Sequence, residues 1–438
     1  MPENPVPDYS FCKGSPAFEG LSDAEIGSIL STARPLEVSG GEVLFRQGDP
    51  GGTMYVITRG RVRVLLEEDD GEQTLLNVLD RGAHFGELSM LIGSPRNATV
   101  AAVVDTELLV LSHEQFAEAV ERVPQFAVNL SRTLGRWLRG ELLGKRQQVI
   151  RSVFGVVQSR EEHAALAPQM AEVFERRGAR IKVVTHRPQA WPSNQVLGEL
   201  QPGQDTERLR DQIADAVTQG NRVLIDCDVA TADPALLSQC EHLLWLFDNR
   251  DESVPESRLG ALVRNHERFA GHSQVVWTHE QAERLPRRQT HDLPLPTADM
   301  RVQWTRGAEG PRFRDHDVAR CIHCVDGLVF GLALGGGGAK GMAHLGVLEV
   351  LGREGIFFDS VAGTSAGAIM SAGYAMGKSP EMLLALMLKE MTPPGWLRAL
   401  PKNREMFLLS QFRMGWIEPK FREHLQNVQF EEIGRAHV

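Results

Sequence analysis

The feature that most constrains this chain is a pair of glycine-framed turns close together near its C-terminal end. The first is Gly335-Gly-Gly-Gly338-Ala339-Lys340-Gly341, which follows the apolar run Leu328–Leu334. The second, Gly363-Thr364-Ser365-Ala366-Gly367, follows the apolar Ser360-Val-Ala362. A G-x-S-x-G turn between strand and helix lifts a serine hydroxyl clear of the backbone. A glycine-rich turn that opens a helix aims its N–H groups at a developing negative charge. A nucleophile and an oxyanion cradle in one short stretch imply acyl transfer on an α/β scaffold, with Ser365 as nucleophile and Gly336, Gly337 and Gly338 as the cradle. The bland alternatives are a flexible loop and a tight turn; their joint occurrence between apolar strands and helices argues against chance.

The 438 residues leave room for two or three domains, each able to bury its own core. A net charge of −10 argues against nucleic acid as the main partner. The five cysteines are few and odd in number, which fits a reducing compartment. Cys321-Ile-His323-Cys324 has a metal-like spacing, but no second ligand pair accompanies it, so incidental thiols and no metal are expected. Met1–Ser10 is polar and proline-rich, and no apolar run approaches the roughly 20 residues a bilayer demands. A cytoplasmic protein is expected, with peripheral membrane contact at most.

From Gly41, short β-rich runs alternate with glycine turns, the pattern of a small antiparallel roll. Then comes Phe85-Gly86-Glu87-Leu-Ser89-Met-Leu-Ile-Gly93-Ser-Pro-Arg96-Asn97-Ala98-Thr99-Val100. A glycine-opened short helix offers N–H groups to a phosphate, Arg96 adds a guanidinium fork, and Glu87 can accept from a ribose hydroxyl. This stretch resembles the phosphate-binding cassette of cyclic-nucleotide-binding domains. The resemblance implies a cAMP or cGMP site in which Glu87 holds the ribose and Arg96 the cyclic phosphate, with Gly86 and Ala98 in the same cassette. A retained roll with Glu87 and Arg96 paired to each other is the alternative. A transcription regulator sharing this roll would need a helix-turn-helix next, which the subsequent segment does not offer.

After the roll, helix is expected from about Pro124 to Val157. It is basic through Arg132, Arg136, Arg139, Lys145 and Arg146, with Trp137, Leu138, Leu142 and Leu143 interleaved. It reads as a reporting tail or as a membrane-surface or dimer helix. Farther on, Ile181–Thr185, Arg222–Asp226, His242–Phe247 and Gln274–Trp277 read as buried parallel strands. Helices near Asp205–Thr218, Pro234–Cys240 and Glu256–Glu267 separate them in a Rossmann-like α/β unit. Asp226 and Asp228 sit at a strand's C-terminal end, where ligands often bind, but no phosphate loop accompanies them, so a scaffold is expected.

The stretch Leu328–Gly377 resembles the patatin-like phospholipases through GGGGAKG and GTSAG, and the whole order of segments is similar to bacterial relatives of neuropathy target esterase. That resemblance implies hydrolysis of phospholipid or lysophospholipid acyl esters by a Ser–Asp dyad. Lys340 matches the basic residue of the glycine motif, and His344, on the helix after it, reads as a packing or supporting residue. The dyad aspartate of a D-G-[GA] motif is absent: no Asp follows Gly367. The closing Ile433-Gly-Arg-Ala-His-Val438 is what ATC GGA AGA GCA CAC GTC encodes, a common sequencing adapter read in frame. A truncated and inactive hydrolase domain is therefore expected.

The expected fold is multidomain α/β: a tail over 1–20, the nucleotide-binding roll with helices over 21–123, and a helical connector over 124–179. A Rossmann-like domain comes next over 180–285, then a linker over 286–326 and an incomplete patatin-like domain over 327–438. The expected function is a serine lipid acyl hydrolase tuned by a cyclic nucleotide; the competing reading is a non-enzymatic cyclic-nucleotide sensor or interaction protein.

Overall fold

A computed structural model describes residues 9–67, 73–142, 151–248, 273–280, 300–308 and 310–391. The expected helix Glu256–Glu267, the residues Leu143, Lys145 and Arg146, residues 286–299 of the expected linker and the C-terminal hexapeptide lie outside them, as do the side chains of 137–142. The described residues fall into two compact units. One takes in residues up to 157 together with 171–243; the other takes in 158–170 and most of the residues after 243.

The first unit begins with the roll. Its helix α1 (Asp23–Leu30) starts on a capping box, Ser22 accepting from the Glu25 N–H while the Glu25 carboxylate accepts from the Ser22 N–H. Eight strands come after it: β1 (Arg34–Val38), β2 (Val43–Phe45), β3 (Thr53–Arg59), β4 (Arg61–Glu67), β5 (Gln73–Asp80), β6 (His84–Phe85), β7 (Thr99–Ala102) and β8 (Thr106–Ser112). They form two sheets, in the orders β1-β8-β3-β6 and β2-β7-β4-β5. Helices α2 (Glu87–Ile92), α3 (His113–Arg122) and α4 (Pro124–Leu142) complete it. Strand alternation divides the apolar residues of β3 between two cores. Ile57 joins Val38, Val62, Phe85 and Val100 inside the roll, while Met54 and Val56 join Phe18, Ile26, Phe116 and Phe126 under the helices.

The expected helix to Val157 does not continue that far. Residues 153–158 form strand β9 (Val153–Gln158), with all six positions buried. The run Val-Phe-Gly-Val-Val carries β-branched residues and a glycine without a helical polar face, so continuous burial wins over helical period. Gly155 is needed there, since a methyl on it would lie 2.6 Å from Leu243. Helix α5 (Leu166–Arg176) is next, so 124–179 holds part of the α/β layer as well as a connecting helix.

Strands β10 (Ile181–Thr185), β11 (Val196–Glu199) and β12 (Arg222–Asp228), with helices α6 (Glu207–Thr218) and α7 (Pro234–Leu237), extend this layer in the order β11-β10-β12-β9. β10 runs parallel to β11 and to β12, and β12 is buried almost throughout. The helix expected to reach Cys240 is a single turn, capped by Asp233 accepting from the Leu236 N–H.

Within the same unit the turn between β3 and β4 seats on α6. Arg59 donates to Asp215 at 2.6 Å, to Asp211 and Glu107 at 3.2 Å, and to the Asp211 carbonyl at 2.7 Å. The Gly60 N–H donates to Thr218 Oγ1 at 2.9 Å.

In the second unit, β13 (His242–Asp248), β14 (Ser273–Glu280), β15 (Met300–Gly307) and β16 (Gly310–Phe313) are neighbours in that order, the last pair antiparallel. β15, β16 and α8 (Asp315–Val325) fill the described part of the segment expected to be a linker. Its Pro, Arg and Gly content reads as loop, but Val302, Trp304 and Phe313 are buried and anchor it. Asp317, fully buried, caps this layer by accepting from the Gln303 N–H and from Arg314. The last layer is β17 (Gly331–Leu334) parallel to β18 (Ser360–Gly363), with α9 (Ala343–Arg353), α10 (Ala366–Ala375) and α11 (Pro380–Met391) around Leu334, Leu345, Leu348, Met370, Leu383 and Met387.

Candidate functional sites

The C-terminal ends of β17 and β18 lie side by side, Leu334 opposite Gly363, so the two glycine turns leave the sheet together. Ser365 comes after β18 and stands immediately before α10, its side chain exposed. Its backbone, φ 53° and ψ −120°, gives the single positive φ of a non-glycine among the described residues. Such a conformation costs of order 1–3 kcal/mol and persists where the surroundings over-determine it.

The surroundings do so here through glycine contacts. A methyl on Gly367 would lie 2.2 Å from the Leu334 carbonyl oxygen, and one on Gly363 would lie 2.4 Å from the Gly367 carbonyl. The Thr364 N–H donates to that same Leu334 oxygen at 3.1 Å. The strand, the elbow and the helix after it can therefore close on one another only with glycine at both ends of G-x-S-x-G.

The glycine loop faces this serine. A methyl on Gly336 would lie 3.2 Å from the Ser365 Cβ, and one on Gly341 would lie 2.6 Å from the Ala366 Cβ. Gly338 opens a single 3-10 turn, Gly338–Met342, from which α9 continues. Among the described residues the N–H groups of Gly336 and Gly337 have no acceptor, and the Ser365 hydroxyl has no hydrogen-bond partner. Lys340 is exposed on the 3-10 turn. His344 Nε2 lies 2.9 Å from the Gly335 carbonyl oxygen. The sequence marks His344 only as a supporting residue; its place on the first turn of the helix after the loop is the signal for this contact.

The other end of this sheet is tied differently. His323 Nδ1 donates to both Asp359 carboxylate oxygens at 3.1 Å, and the Phe330 N–H donates to Asp359 at 2.8 Å. So the histidine of Cys321-Ile-His-Cys324 braces the start of β18. Cys321 lies against Met300, its thiol pushed up by burial, and Cys324 against Gln274. No group of three or more His, Cys, Asp or Glu side chains placed for a metal occurs among the described residues.

In the roll, Gly86 ends β6 in a left-handed conformation, φ 84°, and α2 starts at Glu87. A methyl on Gly86 would lie 2.7 Å from Arg96 Nη1 and 2.8 Å from the Thr53 carbonyl oxygen, so glycine makes room for the guanidinium. Arg96 is only 5% exposed. Its Nη1 donates to Thr53 O at 2.9 Å and to Gly86 O and Ser89 Oγ at 3.0 Å, and its Nη2 donates to Thr53 Oγ1 at 2.7 Å. The guanidinium lies over the Phe45 ring at 4.1 Å and near Tyr55 at 5.7 Å.

All those partners are neutral. Arg96 forms no ion pair among the described residues, its Nε is buried without a partner, and so is Glu87 Oε2. Burial lowers the Arg96 pKa, opposed first by Tyr55 and then by the charges of Glu87 and Asp49. The direct Glu87–Arg96 pair, the alternative from sequence, is not formed. Ala98, half-buried, leads into β7. The residues sequence reasoning missed here are Thr53, Phe45 and Tyr55. They lie on β2 and β3, some forty residues before Arg96, and only pairing of the strands brings them to it.

Asp226 is fully buried and accepts from Thr185, Arg187 and Trp191, which uses it to hold the loop after β10. Asp228 folds back on Thr231 and the Ala230 N–H, and these hydrogen bonds outweigh burial and lower its pKa.

Comparison with known proteins agrees with this division. The family model for the cyclic nucleotide-binding domain matches residues 35–123, and that for patatin-like phospholipase matches residues 332–436. Patatin-like phospholipase domain-containing protein 7 of Rattus norvegicus is 26% identical over 393 residues, covering 78% of this chain and 28% of that protein. Lysophospholipase nte1 of Neurospora crassa is 24% identical over 406 residues, covering 78% of this chain and 26% of its own length. The cyclic AMP receptor protein of Thermus thermophilus is 39% identical over 127 residues, covering 29% of this chain and 59% of that protein. The chain thus spans only part of each relative. It carries a cyclic nucleotide-binding domain and a patatin-like phospholipase domain, and is a relative of the patatin-domain lysophospholipases.

Proposed function

We propose that this chain carries the nucleophile half of a serine lipid acyl hydrolase, with Ser365 attacking the ester carbonyl and Gly336, Gly337 and Gly338 receiving the oxyanion. The observation that carries the reading is the strained, exposed Ser365 set against a glycine loop whose N–H groups have no acceptor among the described residues. Strain at an exposed serine is retained where a reaction uses it. Phospholipid or lysophospholipid is the proposed substrate class, in line with the lysophospholipase name of one relative, and it would be met at a membrane surface. No described helix is long and apolar enough to cross a membrane. The aspartate of the resembled dyad has no counterpart after Ser365 in the sequence, so this chain is expected to turn over slowly.

Two measurements test this. Fluorophosphonate labelling should modify Ser365 and not Ser365→Ala, while ester turnover stays near background. Labelling together with rapid turnover would keep the hydrolase and refute the missing-dyad reading. No labelling of folded protein would refute the hydrolase.

For the roll we propose a cAMP or cGMP site, with Arg96 on the cyclic phosphate, Glu87 on the ribose and Gly86 and Ala98 lining the cassette. A buried cation with no direct ion pair among the described residues, together with a buried carboxylate oxygen without a donor, is costly until an anion with a hydroxyl arrives. Calorimetry with each nucleotide, and with Arg96→Ala as control, tests this; equal heats from the variant would refute it. The competing reading is a nucleotide sensor or interaction protein without catalysis. Nucleotide binding without labelling would select that reading.

A further inference from the structure

We infer that His344 is a positioning residue for the oxyanion cradle, an inference that rests on the hydrolase reading of Ser365. A carbonyl oxygen only accepts, so the 2.9 Å contact requires that His344 Nε2 carry a proton and donate it to Gly335 O. The Gly335–Gly336 peptide is planar and trans, so its C=O and N–H point in opposite directions. Holding the carbonyl toward the first turn of α9 therefore fixes where the Gly336 N–H points.

That N–H has no acceptor among the described residues, and its residue is the one packed against Ser365. Glycine has no side chain to fix its own dihedrals, and Gly335 to Gly338 are four in a row. Such a loop left to itself would sample many peptide orientations and would present a misaligned donor. The Gly335 carbonyl oxygen lies 2.8 Å from where a Gly367 methyl would stand, so glycine at 367 leaves it room to take this position. The histidine donor then holds it there. His344 makes no hydrogen bond to Ser365 among the described residues, so it acts through Gly335.

The test compares the whole chain with His344→Leu, which removes the donor, and His344→Gln, which keeps an N–H donor of similar reach. A para-nitrophenyl fluorophosphonate reports labelling of Ser365 as a maximal rate and an apparent affinity. An aligned oxyanion donor contributes about 10²–10³-fold. A donor misaligned but still present should lower the maximal labelling rate about tenfold or more. In His344→Leu that loss is expected with the apparent affinity unchanged, and with faster amide exchange confined to Gly335–Gly341. Partial rescue of both by His344→Gln completes the expected result. Equal maximal rates in the wild-type chain and His344→Leu would overturn the inference while leaving Ser365 a nucleophile. So would a loss that appears only in apparent affinity, or one that His344→Gln does not relieve. A wild-type chain that is folded but unlabelled would overturn the hydrolase reading itself, and the inference with it.

Discussion

Replacing Ser365 by glycine should make the hydrolase layer more stable, although glycine usually does the opposite. The wild-type residue sits at φ 53° and ψ −120°, where the Cβ of an L-residue is crowded, at a cost of order 1–3 kcal/mol. Its hydroxyl is exposed and bonds to no described group, so Ser365→Ala removes little, within about 0.5 kcal/mol, and keeps the strain. Ser365→Gly releases the strain but gains about 0.5–1 kcal/mol of chain entropy when unfolded. The net expectation is a glycine variant about 1 kcal/mol more stable than the alanine variant. A chain of two units need not unfold in one step, so a global midpoint is the wrong readout. Amide exchange of peptides within Ser360–Ala375 reads this layer alone, and about 1 kcal/mol corresponds to roughly fivefold slower exchange. If Ser365→Ala exchanges as slowly as Ser365→Gly, the backbone stores no strain at this residue and the argument from it fails.

Gly367→Ala should cost more than about 2 kcal/mol, because its methyl would meet the Leu334 carbonyl, whereas Gly346→Ala on α9 meets nothing and should gain about 0.5–1 kcal/mol; pulse proteolysis compares the two. His279, buried with a pKa pushed down to about 4, takes up its proton far more readily when unfolded. Its contribution should be complete above about pH 6.5 and be lost as pH falls toward 4, by at most about 3 kcal/mol. His279→Gln should flatten that part of a stability–pH curve; an unchanged curve would refute the assignment. In the first unit, Arg59→Gln and Asp215→Asn should show a coupling of about 0.5–1 kcal/mol in a double-mutant cycle, reduced by salt because the carboxylates are half exposed. A coupling of zero would make the bridge ornamental.

Both glycine motifs were legible because their requirement is local. Gly363, Ser365 and Gly367 answer to a backbone turn that spans a few residues, and their spacing alone marks that turn. Gly86, Glu87 and Arg96 were legible for a similar reason, since one short cassette holds all three. Strand β9 was not, because its six buried positions have no polar face to mark a period, and a basic helix precedes it. The same difficulty hid β15 and β16, where proline, glycine and arginine flank a few buried anchors, Val302, Trp304 and Phe313.

The posture of Arg96 is a different kind of omission. Sequence supplies a cation and a carboxylate less than a dozen residues apart, and pairing them is the obvious economy for a roll that binds nothing. The fold instead aims the guanidinium at Thr53, Gly86 and Ser89, none of them charged, and leaves Glu87 Oε2 without a donor. Those acceptors lie on β3 and at the head of α2, so they come together only once β3 has paired with β6, far from it in sequence. A direct pair would give the buried Arg96 and the half-buried Glu87 each a partner of opposite charge, and the fold does not form it. Held apart, Arg96 is satisfied in part by Thr53, Gly86 and Ser89, while its Nε and Glu87 Oε2 stay without partners. That makes sense where a third group, anionic at one end and hydroxylic at the other, completes both.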